Sequence, residues 1–261
     1  MEQPSTQHRM KKPERHEQIL LQLKLRPHVR VAELAALFGV TTETVRRDMG
    51  DLERQGLLER AHGGASPTAP GAHRDLDERR QERVVERERL AGLAASLVRD
   101  GDTIMVDAGS TTMVLARLLA FAETRVTAIT NSLQIGMILG QSANARVILA
   151  PGHYLPQEAA VVGVDTCDYL AGFHVDACFL GAAGLSTAGV TEAVEGFAAV
   201  KRAMMRQSAT CRFLIDASKF GLTQLDVVAR FDEMDTLVSD RAPDGALATH
   251  LSENGVRTFA P

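Results

Sequence analysis

Apolar residues recur at helical spacing near the start of the chain and give way, in its larger remainder, to short apolar runs separated by helix-compatible segments. From Pro13 to Leu25 the positions Ile19, Leu20 and Leu23 predict a first helix, which Arg26-Pro27 ends because proline offers no amide and disfavours helix in the residue before it. A second helix is predicted over 31–38, with Leu34, Leu37 and Phe38 as its buried side. Gly39 permits a tight turn, and Thr41 is placed to cap a third helix by accepting from the amides of its first turn. In that helix Val45, Met49 and Leu52 fall at i, i+4 and i+7 and face inward, leaving Thr42, Glu43, Arg46 and Arg47 on the opposite side. Leu57, Leu58 and the segment from Arg60 to Gly64 then read as a short β-wing with a glycine tip. Helix, helix, glycine turn, helix and wing is the order of a winged helix-turn-helix.

Ser66 to Ala72 is a Pro/Gly/Ser linker, and Asp75 to Arg89 is densely charged in mixed sign, which reads as a solvated helix. It merges into an amphipathic stretch with Leu90, Leu93, Ala94 and Leu97 on one face. Apolar runs follow at 103–106, 126–129, 147–149, 177–180, 213–215 and 236–238. Strands alternating with helices predict a parallel, three-layer α/β domain. The expected organisation is a polar tail at 1–12, a DNA-binding domain at 13–66 with its helix-turn-helix at about 29–48, a linker and charged helix at 67–88, and a sensor domain at 89–261.

Composition sharpens this division. The net charge of −4 argues against a nucleic-acid binder, but residues 1–65 hold 11 Lys/Arg against 9 Asp/Glu, and the remainder holds 18 against 24. The basic charge is local to the small module. No apolar run approaches the roughly 18–20 residues that span a bilayer, so a cytoplasmic protein without a membrane partner is expected. Cys167, Cys178 and Cys211 show neither CxxC nor Cys/His spacing, which points to buried thiols rather than disulfides or a metal site.

An α-helix fits the major groove, and an arginine on its outer face can donate twice to guanine or grip phosphate. Arg46 and Arg47 are about 100° apart on the helix, so one can read bases while the other holds backbone. Thr42 and Thr44 are further candidate base contacts, Thr41 lies beside them, and Arg60 and His62 on the wing are candidates for phosphate or the minor groove.

In the larger domain the strongest chemical motif is 103–112, TIMVDAGSTT. A strand ends at Asp107, a small-residue loop follows, and a helix continues; its first-turn amides, with the hydroxyls of Ser110, Thr111 and Thr112, can bind phosphate without a basic side chain. Gly109 lets the backbone approach. Thr130-Asn131-Ser132 and Asp216-Ala217-Ser218-Lys219 also follow predicted strands, where open α/β sheets place ligands. Asp107 is suited to sugar hydroxyls and Lys219 to a phosphate, with Asn131 and Ser132 as further candidates.

The segment from Arg15 to Ala65 resembles the N-terminal domain of the DeoR family of bacterial transcriptional regulators, most specifically in TVRRD (Thr44 to Asp48) and HGGA (His62 to Ala65). Arg30 stands where that family usually carries Ser or Thr, which removes a helix cap and suggests a phosphate contact instead. From Arg89 to Phe259 the chain resembles the family's sensor domain, in order through DAGSTT, TNS, FLGAAGLS with GVT, VKRAM and DASKFG. The resemblance implies a fold similar to ribose-5-phosphate isomerase and a phosphorylated sugar as effector. It adds Lys201 to the candidate site, and Gly152 in the Ala150-Pro151-Gly152 segment that departs from the family's Leu-Gly-Gly.

The resulting expectation is a repressor of a carbohydrate-metabolism operon. Its partners would be double-stranded operator DNA, a phosphorylated sugar and a second copy or more of the chain as dimer or tetramer, without cofactor, metal or catalytic residue. The alternative is a sugar-phosphate isomerase with an accessory DNA-binding domain, for which Asp107, Glu192 and Lys219 supply acid/base groups. A nicotinamide oxidoreductase is weaker, since no G-x-G-x-x-G follows the first strand.

Overall fold

The computed structural model describes residues 10–25, 29–54, 58–61, 64–67 and 76–261. The chain divides into two compact units, residues 1–72 and 73–261.

In the first unit α1 (Lys12–Leu25), β1 (Val29–Arg30), α2 (Val31–Phe38) and α3 (Thr42–Arg54) precede the hairpin β2 (Leu58–Ala61) and β3 (Gly64–Pro67). The three strands form one sheet in the order β1-β3-β2, with Ala61 paired to Gly64. Ile19, Leu34, Phe38, Val45, Met49 and Leu52 make the core. Fully burying such side chains stabilises by about 1.5–3 kcal/mol each. Leu37, expected on the inner side of α2, is 59% exposed. Val31, Leu34, Ala35 and Phe38 occupy the i, i+3, i+4, i+7 stripe, which turns Leu37 outward. Gly39 closes α2 at φ 63, a left-handed conformation open to glycine, and its amide donates to Ala35 O.

The second unit contains α4 (Leu76–Gln81), α5 (Val84–Ala95), β4 (Thr103–Val106), α6 (Ser110–Phe121), β5 (Val126–Thr130), α7 (Leu133–Leu139), β6 (Ala145–Leu149), β7 (His153–Leu155), β8 (Ala160–Val162), α8 (Val164–Ala171) and β9 (Ala177–Leu180). It continues through β10 (Gly184–Ser186), β11 (Gly189–Glu192), α9 (Phe197–Arg206), β12 (Cys211–Leu214), β13 (Asp226–Ala229), β14 (Thr236–Val238), α10 (Gly245–Glu253) and β15 (Arg257–Phe259). Seven strands form a sheet in the order β15-β14-β12-β9-β4-β5-β6, every neighbouring pair parallel.

Alternate residues feed two cores, one on each face. Ile104, Val106, Ala128 and Phe179 pack with Leu90, Leu115, Leu119 and Ile135 of α5, α6 and α7. Met105, Ile129, Leu180 and Phe213 pack with Leu170, Met204 and Leu251 of α8, α9 and α10. Strands covered on both faces need apolar residues throughout, which is why the central ones appear as continuous apolar runs. β10, β11 and β13 form an accessory antiparallel sheet, and β7 pairs with β8. Among the described residues no helix is long and apolar enough to cross a membrane.

The charged stretch before Leu90 is not one solvated helix. It breaks between α4 and α5 at Arg83, whose φ of 47 is left-handed, and both Leu76 and Arg87 are buried. Arg79 and Arg83 turn toward Glu158 and Asp216 of the same unit, and Arg87 donates to the main-chain carbonyls of Arg79 and Glu82.

Candidate functional site

On the first unit Thr41, Thr42, Arg46 and Arg47 are exposed on or beside the start of α3, and Thr44 is half-buried. Thr41 Oγ1 accepts from the Thr44 amide at 3.2 Å and shares a hydrogen bond with the Thr44 hydroxyl at 2.9 Å. The Thr41 hydroxyl therefore caps the helix and holds that of Thr44, while Thr42, Arg46 and Arg47 are exposed. Arg46 lies 3.8 Å from Glu43, a loose exposed pair that a phosphate can displace.

What aims this face is a buried clamp behind it. Arg15 Nε lies 2.7 Å from Asp48 Oδ2 and Nη2 lies 3.1 Å from Oδ1, while Nη1 donates to Met10 O at 2.8 Å. The aspartate of TVRRD is 2% exposed and fastens α3 to α1. Arg30 is exposed at the start of α2 and makes no capping hydrogen bond. Arg60 belongs to β2, and His62 lies outside the described residues.

In the second unit the candidate residues gather at the carboxyl ends of the sheet strands. Asp107, directly after β4, is 2% exposed. Its Oδ1 accepts from the Gly181 amide at 3.0 Å, and its Oδ2 pairs with Lys201 on α9. The same ammonium lies 3.1 Å from Glu192 Oε2, at the end of β11, and sits over the Phe197 ring at 5.5 Å. Burial raises the pKa of Asp107 against the opposing charge of Lys201. For Lys201 burial alone would lower it, but the charges of Asp107 and Glu192 prevail and hold the ammonium above its ordinary value.

The loop after β4 is braced from beneath. Asn131 accepts from the Ala108 amide at 3.0 Å and donates to Val161 O at 2.9 Å. Thr112, fully buried, donates to Asp107 O at 2.8 Å, and Ser132 caps α7 by accepting from the Ile135 amide at 3.3 Å. These three side chains are committed to the scaffold, whereas Ser110 and Thr111 make no side-chain hydrogen bond among the described residues. Gly109 precedes α6 in extended conformation without a side-chain cap, so the first-turn amides remain available to an anion.

Gly152, in the turn after β6, has a φ of 150, and a Cβ there would lie 2.0 Å from Thr166 Oγ1. Packing against α8 requires this glycine. Lys219 does not join Asp107 and Glu192. It follows β12 in the field of Asp216, Arg79 and Arg87, and burial lowers its pKa.

The comparisons with known proteins agree for both units. Residues 15–69 match the DeoR-like helix-turn-helix domain and residues 82–241 the DeoR C terminal sensor domain. The chain belongs to the DeoR family. It is a DNA-binding transcriptional regulator, 32% identical to the HTH-type transcriptional repressor GlcR of Bacillus subtilis (strain 168), with 95% of each chain covered. It is 28% identical to the glycerol-3-phosphate regulon repressor of Escherichia coli (strain K12), over 95% of this chain and 98% of that one. Among solved structures, ribose 5-phosphate isomerase A from Methanocaldococcus jannaschii aligns at 21% identity and a TM-score of 0.38, over 51% of this chain and 53% of that one.

For this DeoR-family regulator the sequence reading placed Asp107 and Lys201 in one site but grouped Glu192 with Lys219 as acid/base candidates. The fold instead joins Glu192 to Lys201. Arg15, Arg79, Arg83 and Arg87 were not singled out, because arginine within a charged stretch reads as solvated until its burial is known.

Proposed function

We propose that this regulator represses a carbohydrate-metabolism operon and that a phosphorylated sugar at the carboxyl edge of the sensor sheet weakens its hold on the operator. One observation carries the reading: the uncapped first turn of α6, with Ser110 and Thr111, opens beside the buried Asp107, Lys201 and Glu192 cluster. Phosphate suits the amides and the helix dipole, and sugar hydroxyls suit a carboxylate cluster. The names of the two relatives, a repressor and a glycerol-3-phosphate regulon repressor, support the same direction.

In this reading Arg30, Thr42, Arg46, Arg47, Arg60 and His62 face operator DNA, with Thr41 and Thr44 shaping the helix start. Asp107, Gly109, Ser110, Thr111, Lys201 and Lys219 contact the effector, while Thr112, Asn131, Ser132 and Gly152 shape its pocket. The DNA-binding domain spans 13–66 and the sensor 89–261, with the intervening segment linking them. Palindromic operators are read by paired helices, so the working species is a homo-oligomer. Binding rather than isomerisation is favoured by the helix-turn-helix domain and by the repressor names of the relatives.

Effector and operator then affect each other reciprocally, and a tenfold loss of operator affinity needs about 1.4 kcal/mol of coupling. The test is a melting screen of the full chain across pentose, hexose and triose phosphates, followed by gel-shift titration with each compound that stabilises. At least one phosphosugar is expected to raise the melting temperature and weaken operator binding, while its unphosphorylated parent does neither. If no phosphosugar does so, or if one is turned over, the reading is wrong.

A further inference from the structure

The cysteines are not among the residues of the effector cluster, and two of them sit side by side. β9 and β12 are parallel neighbours, and Cys211, the first residue of β12, stands directly opposite Cys178 of β9. Residues paired in this way project from the same face of a sheet, and both side chains enter the core packed by α8, α9 and α10. Cys178 is fully buried, while Cys211 keeps 7% of its surface. Both thiols are free, as is Cys167 on α8.

Strand spacing decides what this pair can do. Neighbouring strands run about 4.8 Å apart, so the two Cα atoms fall inside the ~4.4–6.8 Å that a disulfide spans. The β-carbons at that spacing are somewhat farther apart than the roughly 3.8 Å usual across a disulfide. The bond therefore closes with a small inward shift of the two strands and reopens readily to a thiol reductant.

The two thiols are also unequal. A hydrogen bond from Cys178 holds the Cys211 thiol below its ordinary pKa, against burial and the charges of Asp235 and Glu233. Burial holds Cys178 well above the ordinary value, and its contact with Cys211 adds to the rise. Cys211 thus ionises first, and it is the one with surface left to a small solute. Its amide donates to Asp235 Oδ2 at 2.7 Å and its Sγ donates to Met205 O at 3.7 Å, which fix it at the start of the strand. For Cys167 burial raises the pKa, and its charged surroundings are Arg206, Asp168 and Arg202.

We propose that Cys178 and Cys211 form a modification site for a two-electron oxidant of the peroxide class, in which Cys211 reacts first and Cys178 closes the disulfide. The Cys211 thiolate attacks one oxygen of hydrogen peroxide; an S–O bond forms, the O–O bond breaks, and the departing hydroxide takes the proton that Cys211 released and leaves as water. The Cys178 sulfur then attacks the sulfenic sulfur; the S–S bond forms, the S–O bond breaks, and the departing hydroxide takes the Cys178 proton as a second water. The two thiols lose two electrons, and hydrogen peroxide accepts them.

This site does not depend on the effector reading. It lies at the end of α9, the helix that carries Lys201, where Met205 O meets Cys211 and the Ser208 hydroxyl meets Cys178. Oxidation removes the hydrogen that Cys211 offers to Met205 O, so it acts on the sensor unit through that helix end.

The experiment takes the full chain, reduced and then exposed to hydrogen peroxide, with the remaining thiols alkylated in denaturant and the peptides mapped by mass spectrometry. Wild type is expected to lose two alkylatable thiols together, to yield a cross-linked peptide pair containing Cys178 and Cys211, and to regain both thiols with dithiothreitol. Cys167→Ser should behave as wild type. Cys178→Ser should stop at a sulfenic acid on Cys211 that dimedone traps, whereas Cys178 in Cys211→Ser should react about tenfold more slowly. Thiol loss that falls on Cys167, or a pair that oxidises only in urea, overturns the site. Trapping of Cys178 in Cys211→Ser as fast as that of Cys211 in Cys178→Ser overturns the order of reaction. Should either serine variant fail to fold, the wild-type peptide map decides the disulfide, and limiting iodoacetamide on the native wild type, expected to label Cys211 before Cys178, decides the order.

Discussion

In the DNA-binding unit both oxygens of the buried Asp48 carboxylate are held by Arg15, whereas in the sensor unit the ammonium of Lys201 is shared by two carboxylates, Asp107 and Glu192. In the first arrangement Arg15 meets both carboxylate oxygens and spends a further donor on Met10 O, with His16 Nε2 3.5 Å from Asp48 Oδ1. It fixes the angle of α3 and leaves the work of recognition to Arg46 and Arg47, which are exposed and gain nothing from the core. The second joins one ammonium to two carboxylates and lies at the carboxyl edge of the sheet. A one-to-one buried pair closes on itself, whereas an ammonium shared by two carboxylates ties α9, the end of β11 and the loop after β4 together at that edge.

The most forceful way to break this contrast is to remove the cation of the sensor cluster. Lys201→Met takes from the buried Asp107 and Glu192 the ammonium they share, and the second unit should lose about 3–5 kcal/mol at pH 8. The loss should shrink on acidification. Without Lys201 the folded carboxylates hold protons more tightly than unfolded ones, so their contribution is favourable at low pH and is lost as pH rises through the raised folded values. In the wild type Lys201 itself, raised above the ordinary lysine value, stabilises below that value and ceases to do so as pH climbs through its folded one. Both tyrosines, Tyr154 and Tyr169, belong to the second unit and the chain has no tryptophan, so urea unfolding followed by tyrosine fluorescence at pH 5 and pH 8 reports on the sensor. Equal losses at both pH values would show that Lys201 contributes packing rather than charge.

A smaller effect is expected on the exposed side. Arg47→Ala should weaken operator binding by about 1–3 kcal/mol with the first unit still folded and the melting response to phosphosugar unchanged. Its side chain is exposed and makes no hydrogen bond or ion pair among the described residues, so circular dichroism and effector titration should match the wild type while gel-shift affinity falls. Unchanged operator affinity would remove Arg47 from the recognition face.

The contrast between the units also explains what could be read in the chain beforehand. The runs at 103–106, 126–129, 147–149, 177–180, 213–215 and 236–238 all fall in strands of the main sheet; in the interior strands burial on both faces demands unbroken apolar sequence, whereas β6, at 147–149, is a partly buried edge strand. β15 was missed: it is an edge strand, and Arg257 and Thr258 are exposed, so nothing in Arg257–Phe259 resembles a core run. The strands of the β7–β8 and β10–β11 hairpins are each three or four residues long, too short for alternation to stand out. Side-chain chemistry followed the same rule. The DAGSTT loop is local and carries its own signal, but Asp107 and Lys201 are 94 residues apart and meet only through the fold. Arg87 was hidden by its neighbours, since in ERERL one buried arginine is indistinguishable by type from the solvated ones beside it.

Arg30 offers the finest test of whether the DNA-binding unit sets stability apart from recognition. It occupies the N-cap of α2 at φ −94 and ψ 139, a conformation suited to a capping side chain, yet it makes no capping hydrogen bond. Serine there can accept from the amides of the first turn, and Arg30→Ser should stabilise the first unit by about 1 kcal/mol. If Arg30 grips operator phosphate, the same substitution should lower operator affinity at low salt and make binding less steeply dependent on salt, by about one unit in the slope of log affinity against log salt. The two effects have opposite signs and separate measurements, hydrogen exchange at the start of α2 for the cap and gel-shift titrations across a salt series for the contact. Greater protection with an unchanged salt slope would leave Arg30 a poor cap with no compensating contact to DNA.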